Sequence, residues 1–289
     1  MLERLGETVN ARGLKSGPDH DTVSDNDCRR PATGRRMDRT MTDSTAKPAH
    51  CLAIETSGRL GSVAIGLDSR ILEVATFGAD LRHAVELLPT VDRLCEDHQI
   101  APGAITDFYV SAGPGSFTGL RIGITVARML AWAGDVRVVK VPTLDVIAQN
   151  AVDLDDPPEH VASVLDAKRN RVYAAAYVRR NDRYDAITEP AEHDPATFFA
   201  SLPRGSALIG EGIQYIREAV ECSGLFVLPE TTFRARADVV YRLGRIRAIE
   251  GSYDPLNNLL PTYVRRPDAE EVWDQRHGQP TAPTSEGPD

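Results

Sequence analysis

Residues 111–131 read SAGPGSFTGLRIGITVARMLA, and the way this stretch is parsed fixes the register of everything around it. Asp107 to Ala112 (DFYVSA) has the β-branched and aromatic content of a strand, Gly113-Pro114-Gly115 breaks it, and a helix is predicted from about Thr118 to Ala133. A strand that turns on glycines into a helix aims several backbone N–H groups and a helix N-terminus at one point, a geometry suited to an anion. Gly113, Gly115, Ser116, Thr118 and Gly119 are therefore candidate phosphate-binding residues. The run is neither a Walker A loop, since no GKS or GKT follows, nor GxGxxG, since Gly119 comes one position late. A purely structural reading also accounts for it: the glycines permit a tight turn, and Ser116 or Thr118 caps the helix.

The helix carries a second signal. Gly119, Gly123, Ala127 and Ala131 recur every four residues, a stripe of small side chains that would let another helix approach closely. The remaining faces hold Leu120, Ile122, Ile124, Val126, Met129, Leu130 and Trp132, interrupted only by Arg121, Thr125 and Arg128. A helix apolar nearly all round is covered on more than one side. Upstream, from His83, Ala84, Leu87, Leu88, Val91, Leu94 and Cys95 place their side chains on one helical face. Two readings stand side by side: both helices are buried within their own lobe, or they build a subunit interface. The interface set would be His83, Leu87, Leu88, Val91 and Leu94 from the first helix, and Gly119, Arg121, Gly123, Ile124 and Ala127 from the second.

Working outward, CLAIE (Cys51 to Glu55), GSVAIGL (Gly61 to Leu67) and ILEVATF (Ile71 to Phe77) read as three antiparallel strands joined by turns. With a strand at Arg137 to Val141 and a helix near Leu144 to Ala151, the order is β-β-β-α-β-α-β-α. A weaker copy follows, with strands at His160 to Asp166, Arg171 to Val178, Ala186 to Pro190, Ser206 to Gly210 and Leu225 to Leu228. Its helices are near Pro195 to Leu202, Ile213 to Cys222 and Ala237 to Glu250. Repetition at the level of element order predicts an α/β chain of two similar lobes, residues 49–152 and 153–266, with a cleft between them.

Residues 1–48 contain no Phe, Trp or Tyr and are expected to be disordered, because they cannot bury enough apolar area to offset ordering entropy. Met37 and Met41 lie just before the first apolar run and are candidate translation starts, which would make the stretch before them an over-long gene model. Residues 267–289 read as a flexible acidic tail. The whole chain has 289 residues and a net charge of −9, which argues against a surface that grips a phosphate backbone unaided. Its longest run free of Asp, Glu, Lys and Arg, Phe108 to Leu120, is too short to cross a bilayer. With no apolar signal core, the cytoplasm is the expected compartment. Cys28, Cys51, Cys95 and Cys222 form no CxxC pair and are expected to be reduced thiols. His83, His98, His160 and His193 stand apart from one another, so no local metal site is predicted.

IETSGRLGSVAIG (Ile54 to Gly66), HAVELLP (His83 to Pro89), SAGPGSFTGLRIG (Ser111 to Gly123), VPTLD (Val141 to Asp145), LDAKRNRVYAA (Leu165 to Ala175) and PTYVR (Pro261 to Arg265) occur in order across residues 50–266. Together they resemble the bacterial TsaB (YeaZ) family. The resemblance implies two RNase H-like lobes of the actin, Hsp70 and sugar-kinase (ASKHA) type. It also implies a part in making N6-threonylcarbamoyladenosine next to the anticodon of tRNA. In that scheme a TsaD-like subunit transfers the threonylcarbamoyl group and owns the metal. A TsaE-like ATPase joins the assembly, and tRNA meets this chain only through the complex.

The catalytic relative holds its metal through an HxxxH pair; here His83 is followed four positions later by Leu87. Glu55 matches the carboxylate that the superfamily places at the end of its first strand. The second glycine-rich phosphate loop is replaced by Asp166-Ala167-Lys168-Arg169-Asn170, whose side chains would crowd a phosphate. The implied role is a non-catalytic dimerisation and activation subunit, able to pair with itself when TsaD is absent, with ATP or ADP entering at the level of the complex. The alternative is an enzyme acting alone, a nucleotide-dependent transferase or kinase or a peptidase of the same fold.

Overall fold

The computed structural model describes residues 48–78 and 83–262; both predicted tails lie outside them, apart from Pro48. Two mixed sheets form the frame. The first runs in the order β3-β2-β1-β4-β5, with β1 His50–Glu55, β2 Gly61–Leu67, β3 Arg70–Phe77, β4 Ile105–Gly113 and β5 Arg137–Pro142. The expected meander is present: β1 pairs antiparallel with β2 and β2 with β3, while β4 and β5 join in parallel.

Both faces of this sheet are covered, and the alternation along its strands shows by what. Leu52, Ile54, Phe108 and Val110 point into a core shared with α1 (His83–Asp97) and α2 (Phe117–Ala133). Cys51, Ala53 and Tyr109 point the other way, toward α6 (Ala237–Ile249). Successive residues of a strand face opposite sides, so an almost uninterrupted apolar run is what a doubly covered strand requires. Gly244 is what lets α6 come so close, since a Cβ there would strike the Tyr109 ring.

The second sheet has the order β11-β10-β6-β7-β8, with β6 His160–Asp166, β7 Val172–Arg180, β8 Arg183–Ala186, β10 Ala207–Ile209 and β11 Phe226–Val227; β9 (Ala191–His193) pairs with β7. Its core takes in Leu144, Ile147 and Ala148 of α3 (Thr143–Gln149), Phe198 and Phe199 of α4 (Pro195–Ser201), and Ile213 and Ile216. The helices thus cross over: α3 follows the first sheet in sequence but packs on the second, and α6 follows the second but packs on the first.

Two local expectations are corrected. The strand predicted from Ala186 to Pro190 is instead the gap between β8 and β9. There Ile187 N–H donates to Ala176 O (2.8 Å), Thr188 Oγ1 accepts from Ala176 N–H (2.8 Å), and Pro190 has no amide to extend a ladder. The helix predicted from Ile213 to Cys222 is a 3-10 turn over Glu211–Tyr215 followed by α5 (Arg217–Ser223). Ile213 and Ile216 both reach the core at the three-residue spacing of a 3-10 turn. Pro89 is the seventh residue of α1. The Val85 carbonyl therefore lacks its helical donor, at a residue that is 62% exposed and open to water.

Candidate functional site

The glycine turn sits against the chain's own loop after β1. Gly113, at φ +114°, lies beside the C-terminal segment, where Thr262 N–H donates to Ala112 O at 2.7 Å. A Cβ on Gly115 would stand 2.7 Å from both Cβ and the carbonyl oxygen of Ser57, and one on Gly119 would overlap the carbonyl oxygen of Thr56. Ser116 N–H donates to Ser57 O at 2.7 Å. The Ser116 hydroxyl caps α2 by accepting from Gly119 N–H at 3.3 Å, and Thr56 Oγ1 donates to Gly119 O at 2.8 Å. Of the candidate phosphate residues only Gly115, Ser116 and Thr118 reach the surface. Thr56 and Ser57 pack directly against Gly119 and Gly115, a close approach that these glycines permit, and the Ser116 cap is present as the structural reading expects.

Glu55 is fully buried, and its carboxylate accepts from the Ser111 hydroxyl and from the Ser57 hydroxyl and amide. Burial pushes its pKa above the ordinary carboxylate value, and the Ser111 and Ser57 hydrogen bonds work against that rise. It braces the end of β1 against β4.

Between the two sheets, Ser57, Arg59, Thr143, Leu165, Phe233 and Arg234 are among the residues lining a cleft of about 40 Å³. Small-molecule sites usually measure about 300–1,000 Å³, so this cleft, as the two sheets stand, is well below that range. Asn150, just after α3, is tied to the segment before α6 by donating from Nδ2 to both Thr232 O and Arg234 O, each at 2.7 Å. The second phosphate loop of the superfamily is not matched. In the Asp166–Asn170 turn, Ala167 N–H donates to Arg171 O (3.0 Å) and Lys168 N–H to Asp166 Oδ1 (2.8 Å), so these amides are spent within the turn.

The interface set is also redistributed. His83 is 2% exposed, with Nε2 3.0 Å from Gly58 O and its ring edge-on to Phe77. Leu87, Val91 and Leu94 are buried under β2 and β3, and Ile124 and Ala127 lie in the same core. Gly119 and Gly123 are buried as well; a Cβ on Gly123 would stand 2.7 Å from Thr56 Oγ1 and 3.1 Å from Val110 Cγ2. The small stripe lets α2 approach β1 and β4 rather than a partner helix. Each of these large side chains gains about 1.5–3 kcal/mol from that burial. Within this chain, His83, Leu87, Val91, Leu94, Gly119, Gly123, Ile124 and Ala127 are thus buried, as the reading of burial within the lobe expects.

Leu88 and Arg121 remain outside, in company that periodicity did not single out. Val85 is 62% exposed, Leu88 40%, Phe117 39%, Met129 40% and Trp132 81%. A groove of about 380 Å³ between α1 and α2 is floored by Leu87, Ile122 and Val126 and flanked by Leu88 and Phe117. The Arg121 guanidinium covers the Phe117 ring at 3.7 Å. Clusters of exposed large apolar residues on adjacent helices mark interaction surfaces. Trp132 was visible in sequence as an apolar residue off the small stripe, and Val85 as an apolar residue off the periodic face of α1.

Two mixed sheets with flanking helices make this a two-lobed α/β chain of the ASKHA type. A family model described as TsaD, tRNA N6-adenosine threonylcarbamoyltransferase, matches residues 78–242, more than half of the chain. The tRNA threonylcarbamoyladenosine biosynthesis protein TsaB of Bacillus subtilis is 29% identical over 230 residues, covering 77% of this chain and 96% of that protein. The TsaB protein of Escherichia coli is 34% identical over 129 residues, 44% of this chain and 54% of its own length. Among solved structures, YeaZ from Pseudomonas aeruginosa superposes with a TM-score of 0.65 at 26% identity, covering 74% of this chain and 99% of that one. The chain belongs to the TsaB/YeaZ family.

Proposed function

We propose that this chain is a non-catalytic subunit of the assembly that makes N6-threonylcarbamoyladenosine in tRNA. It docks on a TsaD-type transferase through the outer face of α1 and α2. The observation that carries the reading is the exposed apolar strip of Val85, Leu88, Phe117, Met129 and Trp132 on two neighbouring helices. The cleft of about 40 Å³ supports a structural rather than a nucleotide-processing role, and the relatives named for this pathway supply the partner class. The same strip serves a homodimer that competes with the TsaD-type partner, and a TsaE-type ATPase joins the pair in the cytoplasm. The partner supplies the metal and most of the contact with tRNA.

The test is a calorimetric titration of the full chain against the TsaD-type subunit of the same organism. Large exposed aromatic anchors at interface centres cost about 2 kcal/mol or more when truncated. A Trp132→Ala/Leu88→Ala variant should therefore bind at least about 30-fold more weakly while melting at the parent temperature. Undiminished affinity, or turnover of ATP or a peptide by the isolated chain, would refute the reading.

A further inference from the structure

The described chain ends beside the α1–α2 face. Leu259 is fully buried in the core shared with α1 and α2, and Arg128 of α2 donates from Nη1 to its carbonyl oxygen at 3.4 Å. Three residues on, Thr262 N–H donates to Ala112 O at 2.7 Å. A Cβ built on Gly113 would meet Thr262 O at 2.6 Å and Leu120 Cδ1 at 3.2 Å. The chain is thus carried along α2 from Arg128 back to its first turns and released next to Leu120.

The groove between the two helices opens at the same end of α2. Phe117 and Thr118, its first two residues, line that groove of about 380 Å³, whose floor is Leu87, Ile122 and Val126. An apolar groove open to water favours an apolar side chain that fills it. Residues 263–289 follow Thr262 and lie outside the described residues. In the acidic stretch from Pro267 onward, Val272 and Trp273 are the only large apolar side chains. Tryptophan is favoured as an interface anchor because one rigid ring system buries a large apolar area. Trp273 stands eleven residues past Thr262, and a chain of that length spans at most about 36–40 Å. The seventeen residues of α2 extend only about 25 Å, so the whole groove is within reach. A ligand on so short a tether acts at an effective concentration in the millimolar range, which favours the chain's own Trp273 over that of a second copy.

We propose that Val272 and Trp273 seat in the α1–α2 groove of their own chain and cover the docking face until a partner displaces them. The inference deepens the subunit role proposed above and rests on it for the identity of that partner. The seated segment competes with the TsaD-type subunit and with a second copy alike, because all three occupants use the strip that holds Leu88 and Phe117. A face covered in about four molecules of five loses about 5-fold in apparent affinity, since only the open fraction binds.

The experiment uses the full chain with a photoreactive benzoylphenylalanine in place of Trp273, whose aromatic bulk stands in for the indole. After irradiation across a wide range of protein concentration, the products are mapped by peptide mass spectrometry. Cross-links should fall on residues 84–126 of the same chain, at a yield that does not change with concentration. Leu88→Asp in that chain should remove most of the yield; Leu88 is 40% exposed, so the fold tolerates the change. Cross-links confined to other surfaces, or formed only between chains, would overturn the proposal. In a calorimetric titration, the full chain carrying Trp273→Ala should bind the TsaD-type subunit about 5-fold more tightly than the parent. Equal affinity would overturn the competition. Should neither protein bind that subunit while the intramolecular cross-link persists, the docking role falls and the seat of Trp273 stands.

Discussion

Replacing Gly119 by Ala tests whether the small stripe of α2 is an interior feature. The new Cβ would overlap the Thr56 carbonyl oxygen, and the nearby His83 ring at 3.5 Å leaves little room to slide sideways. Neither the β1 backbone nor the Thr56 side chain yields cheaply, because Thr56 Oγ1 is already committed to Gly119 O. Overpacking of this kind costs about 1–3 kcal/mol, and a rigid backbone obstacle places it at the upper end, about 3 kcal/mol. Exchanging glycine for alanine in a helix returns about 1 kcal/mol. The net loss of about 2 kcal/mol corresponds to a melting temperature lower by about 4–8 °C for a domain of this size. Differential scanning calorimetry on the two proteins reads this directly. Gly134→Ala serves as the control, since its Cβ would meet nothing closer than 3.9 Å and its φ of −156° suits any residue. It should melt at or slightly above the parent. A Gly119→Ala protein that melts with the parent but binds the TsaD-type subunit more weakly would refute the reasoning and return the stripe to the surface.

Two further outcomes follow from the same core. Burial raises the Glu55 pKa in the folded state, so this group favours folding most below its unfolded value, and that contribution is lost as pH rises through the folded value. Glu55→Gln should therefore gain stability relative to the parent as pH is raised from 4 to 8 in urea titrations, and parallel curves would contradict this. Cys51 and Cys95 are buried with pKa values raised chiefly by desolvation, whereas Cys222 is exposed. Brief maleimide treatment of the native chain should label Cys222 and spare the other two until denaturant is added, as peptide mass spectrometry would show.

Much of the frame could be read before any coordinates. The strand runs at Cys51, Gly61 and Ile71, the glycine turn at Gly113 and the repeated element order are local signals, and each produced the element expected of it. What periodicity could not supply was the identity of the neighbour. The Leu87, Val91 and Leu94 face announces burial in either reading, and only the fold shows that β2 and β3 cover it. The same limit applies to Gly123, whose smallness marks a close approach without saying that Thr56 and Val110 make it. Conversely, Val85 and Trp132 break the pattern of their helices, and residues that break a burial pattern mark the exposed apolar face. The missed gap between β8 and β9 depended on a threonine hydroxyl reaching a backbone amide twelve residues away in sequence, which no strand propensity encodes.

The exchange of α3 and α6 between the sheets also bears on how the polypeptide is born. As it leaves the ribosome, β1 to β5 can pair and collect α1 and α2, but the side bearing Tyr109 and Val139 stays bare until Ala237–Ile249 has been made. Nascent chains that expose apolar sheet surface are prone to aggregate, so synthesis must reach α6 before the earliest sheet is sealed. Premature termination anywhere between the two sheets would release a product with one flank permanently uncovered.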